Sequence, residues 1–448
     1  MAQPGGNHRD TEVRTAGDYG GKPLIVRSTP VLDPGDLLTR IPEPAAFSWL
    51  RHGAGLVGWG KAASITLPAG DDRFTGGEKW LRELVDTADI RDDVACRGSG
   101  LVAFGSFTFD DCSEGSVIVV PRVVLGRDGR GGAWLTSVTP ADEAEGDAGA
   151  GGRGVSNASV PADHARPSAP AEIAWHDGSL SSMEWEQAVA TAVRRIKHGD
   201  VRKVVLARDL YAYADRPLDQ RVLLSRLAAR YPDCYTFACA GLVGATPELL
   251  IRRDGNEVTS LVLAGTMPRG ATDGEDARIA AALLGSAKEN EEHGYAVASL
   301  RDVLAPLCAE LDVEEHPSLI RLPNLQHLGT HVRGVLAADR SALALAAALH
   351  PTAAVGGTPR DAAVELIREL EQMDRDRYAG PVGWIDASGN GEWGIALRSA
   401  RIEGNRARLF AGCGIVAGSD PATELAETNV KFRPMRTALE QPEPGELA

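Results

Sequence analysis

Residues 411–431, AGCGIVAGSDPATELAETNVK, decide how this chain is read. A run of small and β-branched residues turns at Gly418-Ser419 and passes directly into a helical pattern. Helical neighbours lie three and four positions apart. Glu424, Glu427 and Lys431 therefore share one face. Two like charges at that spacing weaken a helix unless something positive lies between them. Either the face is solvated and Lys431 supplies that charge, or the two acids hold a metal ion at the C-terminal end of a sheet. The rest of the chain has to choose.

The 448 residues are enough for one large domain or about two to three ordinary ones. Hydrophobic residues make up 43% and charged residues 24%, a composition able to bury a core. The formal net charge of −15 argues against nucleic-acid binding, which needs a basic surface. It also means that an anionic substrate would need local cations. No apolar run reaches the roughly 20 residues that span a bilayer, and MAQPGGNHRDTEVRTAGDYGG has no signal-like apolar core. Six scattered cysteines without a CxxC pair suggest free thiols in a reducing compartment, so a cytoplasmic location is expected.

Two segments, residues 1–20 and 139–170, have the polar, Gly/Ala/Ser/Pro-rich composition of disorder. The second separates a part at 25–138 from a part at 171–438. In the first part, 76–90 reads as a helix with Trp80, Leu84 and Ile90 on its apolar side, and 101–109 and 116–126 read as strands. In the second, Ser181 and Glu184 fit a capping box for a helix that ends at Gly199. VRKVVLARDLYAYA (201–214) alternates as a strand, and Asp254-Gly255 marks a hairpin. Helices are expected at 276–311, 341–349 and 359–375. WGIALRSARIE and RARLFAGCGIV read as strands before the last helix. Strands grouped with helices, without strict alternation, indicate an α+β layered fold.

Candidate chemistry is scattered along this pattern. Lys203 lies in an alternating strand, on one face with Val205, Ala207 and Asp209; it either protects an edge or, held away from water, serves as a base. Glu248, in GATPELLI, is either an acid raised by apolar surroundings or a first-turn helix residue after Pro247. In AGTMPRG, Thr266 offers a hydroxyl in a plain loop or beside a ligand. In KENEEH, Glu289 and Glu292 share a face, and Glu292 with His293 could form a ligand pair; the alternative is an acidic solvent face. His327 reads as a satisfied polar residue or a ligand. Arg398 lies in a strand, where its planar fork suits a carboxylate, and Tyr378 could add a phenol donor. Carboxylates in two separate helices suit Mg²⁺, with water and substrate completing the shell. There is no P-loop, dinucleotide fingerprint or nucleophile elbow.

KVVLAR, GATPELLIRR, LAGT…RG, KENEEH, LQHL, LHPTAAVGGTP, YAGPVGW, ALRSARI and AGCGIVAGSDPATELAETNVK occur in the order found in the chorismate-utilising enzymes. The chain resembles that family densely over 181–438 and more loosely through GLVGWG and AFGSFTFD. The resemblance implies two large antiparallel β-sheets packed as a sandwich with helices on the outside, as in anthranilate synthase component I. It implies a Mg²⁺-dependent enzyme acting on chorismate. Lys203 then matches the base and Glu248 the acid. Glu292, Glu424 and Glu427 match the metal carboxylates. Arg398, Tyr378, Gly414 and Lys431 match positions that hold the enolpyruvyl carboxylate, and Thr266 and His327 flank the ring. Ala264 stands where aminodeoxychorismate synthases carry a nucleophilic lysine. Ala354-Val355 resembles the isochorismate synthase pattern, with salicylate synthase and the aminating large subunits as alternatives. Cys413 and Ala353 depart from the family's usual Ala and Pro. A monomer without an obligatory glutaminase subunit, touching neither nucleic acid nor membrane, is expected. Its product would feed menaquinone or siderophore formation.

Overall fold

The computed structural model describes residues 23–143, 160–162, 164 and 169–440. The expected disorder of 1–20, and most of that at 139–170, lies outside the described residues. The strand Ala133–Pro140 does reach into the second segment.

The helices are α1 (Arg73–Thr87), α2 (Ser182–His198), α3 (Gln220–Arg230), α4 (Asp273–Gly285), α5 (Ala287–Leu304), α6 (Ala342–Leu349), α7 (Arg360–Glu371) and α8 (Pro421–Glu440). Among the described residues, thirteen strands form one sheet and ten form a second. The ladders are antiparallel except where Leu24–Pro30 runs parallel to Asp89–Asp92. Phe104, Phe237, Leu249, Leu263, Val382 and Trp384 form a buried cluster drawn from both sheets. Helices α3 and α8 pack on the larger sheet, as does α7, while α5 and α6 pack on the smaller. The α+β sandwich with outer helices is therefore the observed architecture. Strands from the N-terminal segment enter both sheets: Phe47–Arg51 pairs with Tyr235–Cys239, and Val102–Ser106 with Pro381–Asp386.

Local signals translate well. Ser181 and Glu184 form the reciprocal capping box, and Gly199 closes α2 in the left-handed region at φ 96°. The Asp254-Gly255 hairpin forms, with Gly255 at φ 61°.

Four expected elements need correction here, and a fifth, WGIALRSARIE, is two strands, Gly391–Ile395 and Ser399–Glu403. SVIVVPRVVLG is two strands, Ser116–Val120 and Val123–Arg127, which belong to different sheets. Pro121, which has no N–H to donate, falls at the break between them. The 276–311 helix is split at Ser286, whose hydroxyl caps α5 by accepting from Glu289 N, and Cys308–Val313 is a strand. Helix α1 ends at Thr87, so Ile90 lies in a strand instead of on its apolar face. Helix α7 stops at Glu371, four residues before the expected end.

Candidate active site

Lys203 begins the strand Lys203–Ala214, which pairs along its length with Arg406–Ile415. Its side chain is 0% exposed, and Nζ lies 3.2 Å from Glu292 Oε1 on α5. The same ladder sets Val205 opposite Gly414. A Cβ on residue 414 would fall 2.1 Å from Glu292 Oε1 and 3.1 Å from Lys203 Cε, so a side chain there would push Glu292 aside.

Glu248 is no helix residue. It lies in the extended link between the strands Leu242–Thr246 and Leu249–Asp254, one in each sheet, and is 4% exposed. Burial pushes its carboxyl up to about 8, against the pull of a Leu263 backbone hydrogen bond and the charges of Lys203, Arg398 and Lys431. A carboxylic acid that keeps its proton at neutral pH is a proton donor in waiting.

The strand Glu257–Pro268 bulges between Ala264 and Thr266, with Gly265 at φ 76°. Bulges re-aim side chains. Here Thr266 Oγ1 lies 2.9 Å from His327 Nδ1, and Thr266 N donates to Glu289 Oε2 at 2.9 Å. Burial holds the His327 imidazole well below its usual range, so it is neutral, and its Nε2 has no hydrogen-bond partner among the described residues.

Arg398 is not in a strand. It occupies the left-handed region at φ 48°, between Gly391–Ile395 and Ser399–Glu403, so strand alternation does not govern its side chain. It is buried and makes no ion pair among the described residues. Tyr378 stacks on Phe410 at 5.1 Å. Lys431 Nζ donates to Gly412 O at 2.9 Å and pairs with Glu427 Oε1 at 2.5 Å.

Glu248, Thr266, Glu292, His327, Ala354, Tyr378, Arg398, Gly414 and Lys431 line one cleft of about 580 Å³, open solvent at its mouth included. Lys203 and Glu427 stand just behind its wall, joined to it through Glu292 and Lys431. Glu424, 1% exposed, lies one step further out, with Lys288 Nζ at 2.8 Å.

Glu289 belongs with these acids. It is buried, and its oxygens meet Thr266 N and, at 3.6 Å, Lys288 Nζ. Its shared face with Glu292 was the signal in the sequence. His293 does not belong. Its ring nitrogens meet Ala264 O at 3.1 Å and Thr330 Oγ1 at 2.7 Å, and burial lowers it to about 4. Arg375, which sequence reasoning missed, also lines the cleft.

In kind, carboxylate oxygens are the donors a hard divalent cation takes. Burial raises the Glu289 carboxyl, and Glu292 and Glu424 push it further. Burial likewise raises Glu427, with Glu424 and Glu292 adding repulsion against the pull of Lys431. Four carboxylates that repel one another need positive charge between them. Lysine amino groups stand against them here: Lys203 by Glu292, Lys288 by Glu424 and Glu289, and Lys431 by Glu427. The tightest set of potential ligand atoms among the described residues lies elsewhere, at Asp110, Asp111 and Cys112. Arg368 already bonds both of those carboxylates, and Cys112 is exposed.

A sandwich cleft lined by Glu248, Glu292, Arg398 and Lys431, with lysine-paired carboxylates behind its wall, belongs to an enzyme for a small anion. The chain belongs to the chorismate binding enzyme family, whose pattern it matches over residues 24–440. It is 36% identical over 402 residues to isochorismate synthase MenF of Bacillus subtilis, covering 86% of this chain and 85% of that one. It is 42% identical over 256 residues to isochorismate synthase EntC of Escherichia coli, covering 56% and 66%. The solved structure of the menaquinone-specific isochorismate synthase MenF of Escherichia coli superposes with a TM-score of 0.74 at 25% identity, over 94% of this chain and 95% of that one.

Proposed function

We propose that this chain is an isochorismate synthase, an isomerase that adds water at C2 of chorismate and releases the C4 hydroxyl. Kinship with isochorismate synthases supports the activity. The observation that carries the residue roles is a buried lysine and a protonated glutamic acid serving one cleft, with small Ala264 beside them.

Lys203 takes a proton from a water whose oxygen bonds to C2. The ring double bond shifts and the C4–O bond breaks. Glu248 protonates the departing hydroxyl, which leaves as water. One water enters and one leaves, so the net change is an isomerisation; Lys203 then loses its proton and Glu248 regains one through solvent. Arg398, Lys431 and the Tyr378 phenol hold the enolpyruvyl carboxylate, in space that Gly414 keeps open. Thr266 and neutral His327 orient the ring, and Ala354 forms a wall. Glu292, Glu424 and Glu427, with Glu289, are the residues that would hold Mg²⁺. When bound, Mg²⁺ supplies positive charge for the ring carboxylate.

Purified protein given chorismate and Mg²⁺, without ammonia, is expected to form isochorismate. Accumulation of salicylate and pyruvate would make it a salicylate synthase, and a requirement for ammonia or a glutaminase would place it with the aminating enzymes. The accompanying reading is a monomer that works alone in the cytoplasm, supplying menaquinone or siderophore synthesis. Its six free cysteines suit a reducing compartment, and no helix among the described residues is long and apolar enough to cross a membrane. Sedimentation of the purified protein tests the monomer.

A further inference from the structure

The strand that carries Lys203 has a gap along one edge. Gly357–Thr358 pairs only with Lys203 and Val204, and Gly356 O accepts from Val205 N at 2.8 Å. The next partner, Ile173–Asp177, begins opposite Leu210. Between them the backbone groups of Val205 and Ala207 face no strand, yet buried backbone groups need partners.

Side chains fill the gap. Glu371 Oε1, at the end of α7, accepts from Ala207 N at 2.7 Å. Arg375 Nη2 donates to Val205 O at 2.7 Å, and Trp185 Nε1 to Ala207 O at 3.2 Å. The two charged residues also hold each other. Arg375 Nε meets Glu371 Oε2 at 2.9 Å and Nη2 meets Oε1 at 2.5 Å, with both residues 2% exposed. The remaining arm of the fork, Nη1, donates to Val355 O at 2.9 Å. Val355 and Ala354 form a wall of the cleft. The guanidinium carbon sits 4.1 Å from the centre of the Phe109 ring, which fixes its plane.

We infer that the buried Glu371–Arg375 pair is a positioning device for isomerisation. It replaces a missing strand and locks the Lys203 backbone against the Ala354–Val355 wall. Each guanidinium nitrogen donates to a protein acceptor, so Arg375 acts through Lys203 and the wall. A buried ion pair is a poor device for stability alone, because desolvation consumes much of the attraction. A planar fork that reaches three segments at once is a good device for register, and lysine cannot copy it.

The inference rests on the proposed role of Lys203, and the test separates the two. Arg375→Lys keeps the charge and loses the fork. Glu371→Gln is milder, since its amide oxygen can still accept from Ala207 N. Each is assayed for kcat and KM with chorismate and Mg²⁺, at a temperature well below its own melting midpoint. Arg375→Lys is expected to lose about ten- to a hundredfold in kcat, the scale of a small misplacement of reacting groups. KM should move by less than about threefold, and Glu371→Gln should fall in between. A kcat per folded molecule equal to that of the unaltered protein in both variants would overturn the positioning role and leave the pair purely structural. If Arg375→Lys does not fold, Glu371→Gln alone decides by the same criterion. A fully active Lys203→Ala would instead overturn the proposed base, whatever the pair does.

Discussion

Glu248, just before the strand Leu249–Asp254, and Glu392, on the strand that pairs with it, are buried to almost the same degree, and burial pushes both carboxyls up. They end in opposite states. Glu392 accepts from Trp49 Nε1 at 2.7 Å and Arg97 Nη1 at 2.6 Å, and Arg252 Nη2 lies 2.8 Å away. The two arginine charges and the indole outweigh desolvation and hold it below the usual range. Glu248 has no cation in contact among the described residues. Lys203, Arg398 and Lys431 act on it only from a distance, and it is raised to about 8. Burial by itself decides neither case. One region saturates its buried charges and gains rigidity; the other leaves them half-satisfied, the setting in which the proposed binding and proton transfer would take place.

The sharpest way to break this contrast is to neutralise each acid in turn. Glu392→Gln leaves Arg97 and Arg252 without their shared carboxylate and is expected to cost about 3 kcal/mol of stability, as when one partner of a buried pair is removed. Its kcat, measured below the melting midpoint, should be unchanged. Glu248→Gln should do the reverse. Turnover drops by at least about 10²-fold, the lower range for a general acid, while the melting temperature at pH 8 stays level or rises. Isochorismate formation by each variant, set beside its thermal melt, checks both. A Glu248→Gln protein that kept its rate would remove the proposed acid.

Gly414→Ala probes the crowding beside Lys203. A methyl group there collides with Glu292 Oε1, so kcat is expected to fall about tenfold, equal to roughly 1.4 kcal/mol in the barrier. Mn²⁺ titration of the same variant should show weaker binding, because Glu292 must move.

The smallest effect is read from pH. The folded-state value of Glu248 is raised, so its contribution to stability is complete below the unfolded value near 4.5 and is lost as pH climbs through about 8. Glu392 is lowered; its contribution is present above that unfolded value and is lost as pH falls through the folded one. Melting curves from pH 3 to 9 should therefore lose slope between about 4.5 and 8 in Glu248→Gln and below about 4.5 in Glu392→Gln. The rate of the unaltered enzyme should also decline above about pH 8, as Glu248 gives up its proton before the reaction.

Much of the scaffold was legible because its signals are short-range. A capping box, a Gly-terminated helix, an Asp-Gly hairpin and the spacing of Glu424, Glu427 and Lys431 each depend on residues within a turn or two. Ordered motifs also brought the cleft residues to notice one by one. Errors came where a break or a special backbone angle interrupts a plausible pattern, as at Pro121, Ser286 and Arg398.

From its own residues the chain dictates helix faces, strand runs and the supply of acids and cations, since local periodicity and capping need no distant partner. Only the folded molecule decides which charges meet. Lys288, 136 residues away, pairs with Glu424, and Glu371 supports a backbone 164 residues earlier. Whether a glutamate ends as an anion or an acid depends on neighbours that the tertiary structure brings into contact, because charge interactions in a buried site follow distance in space and take no account of distance along the chain.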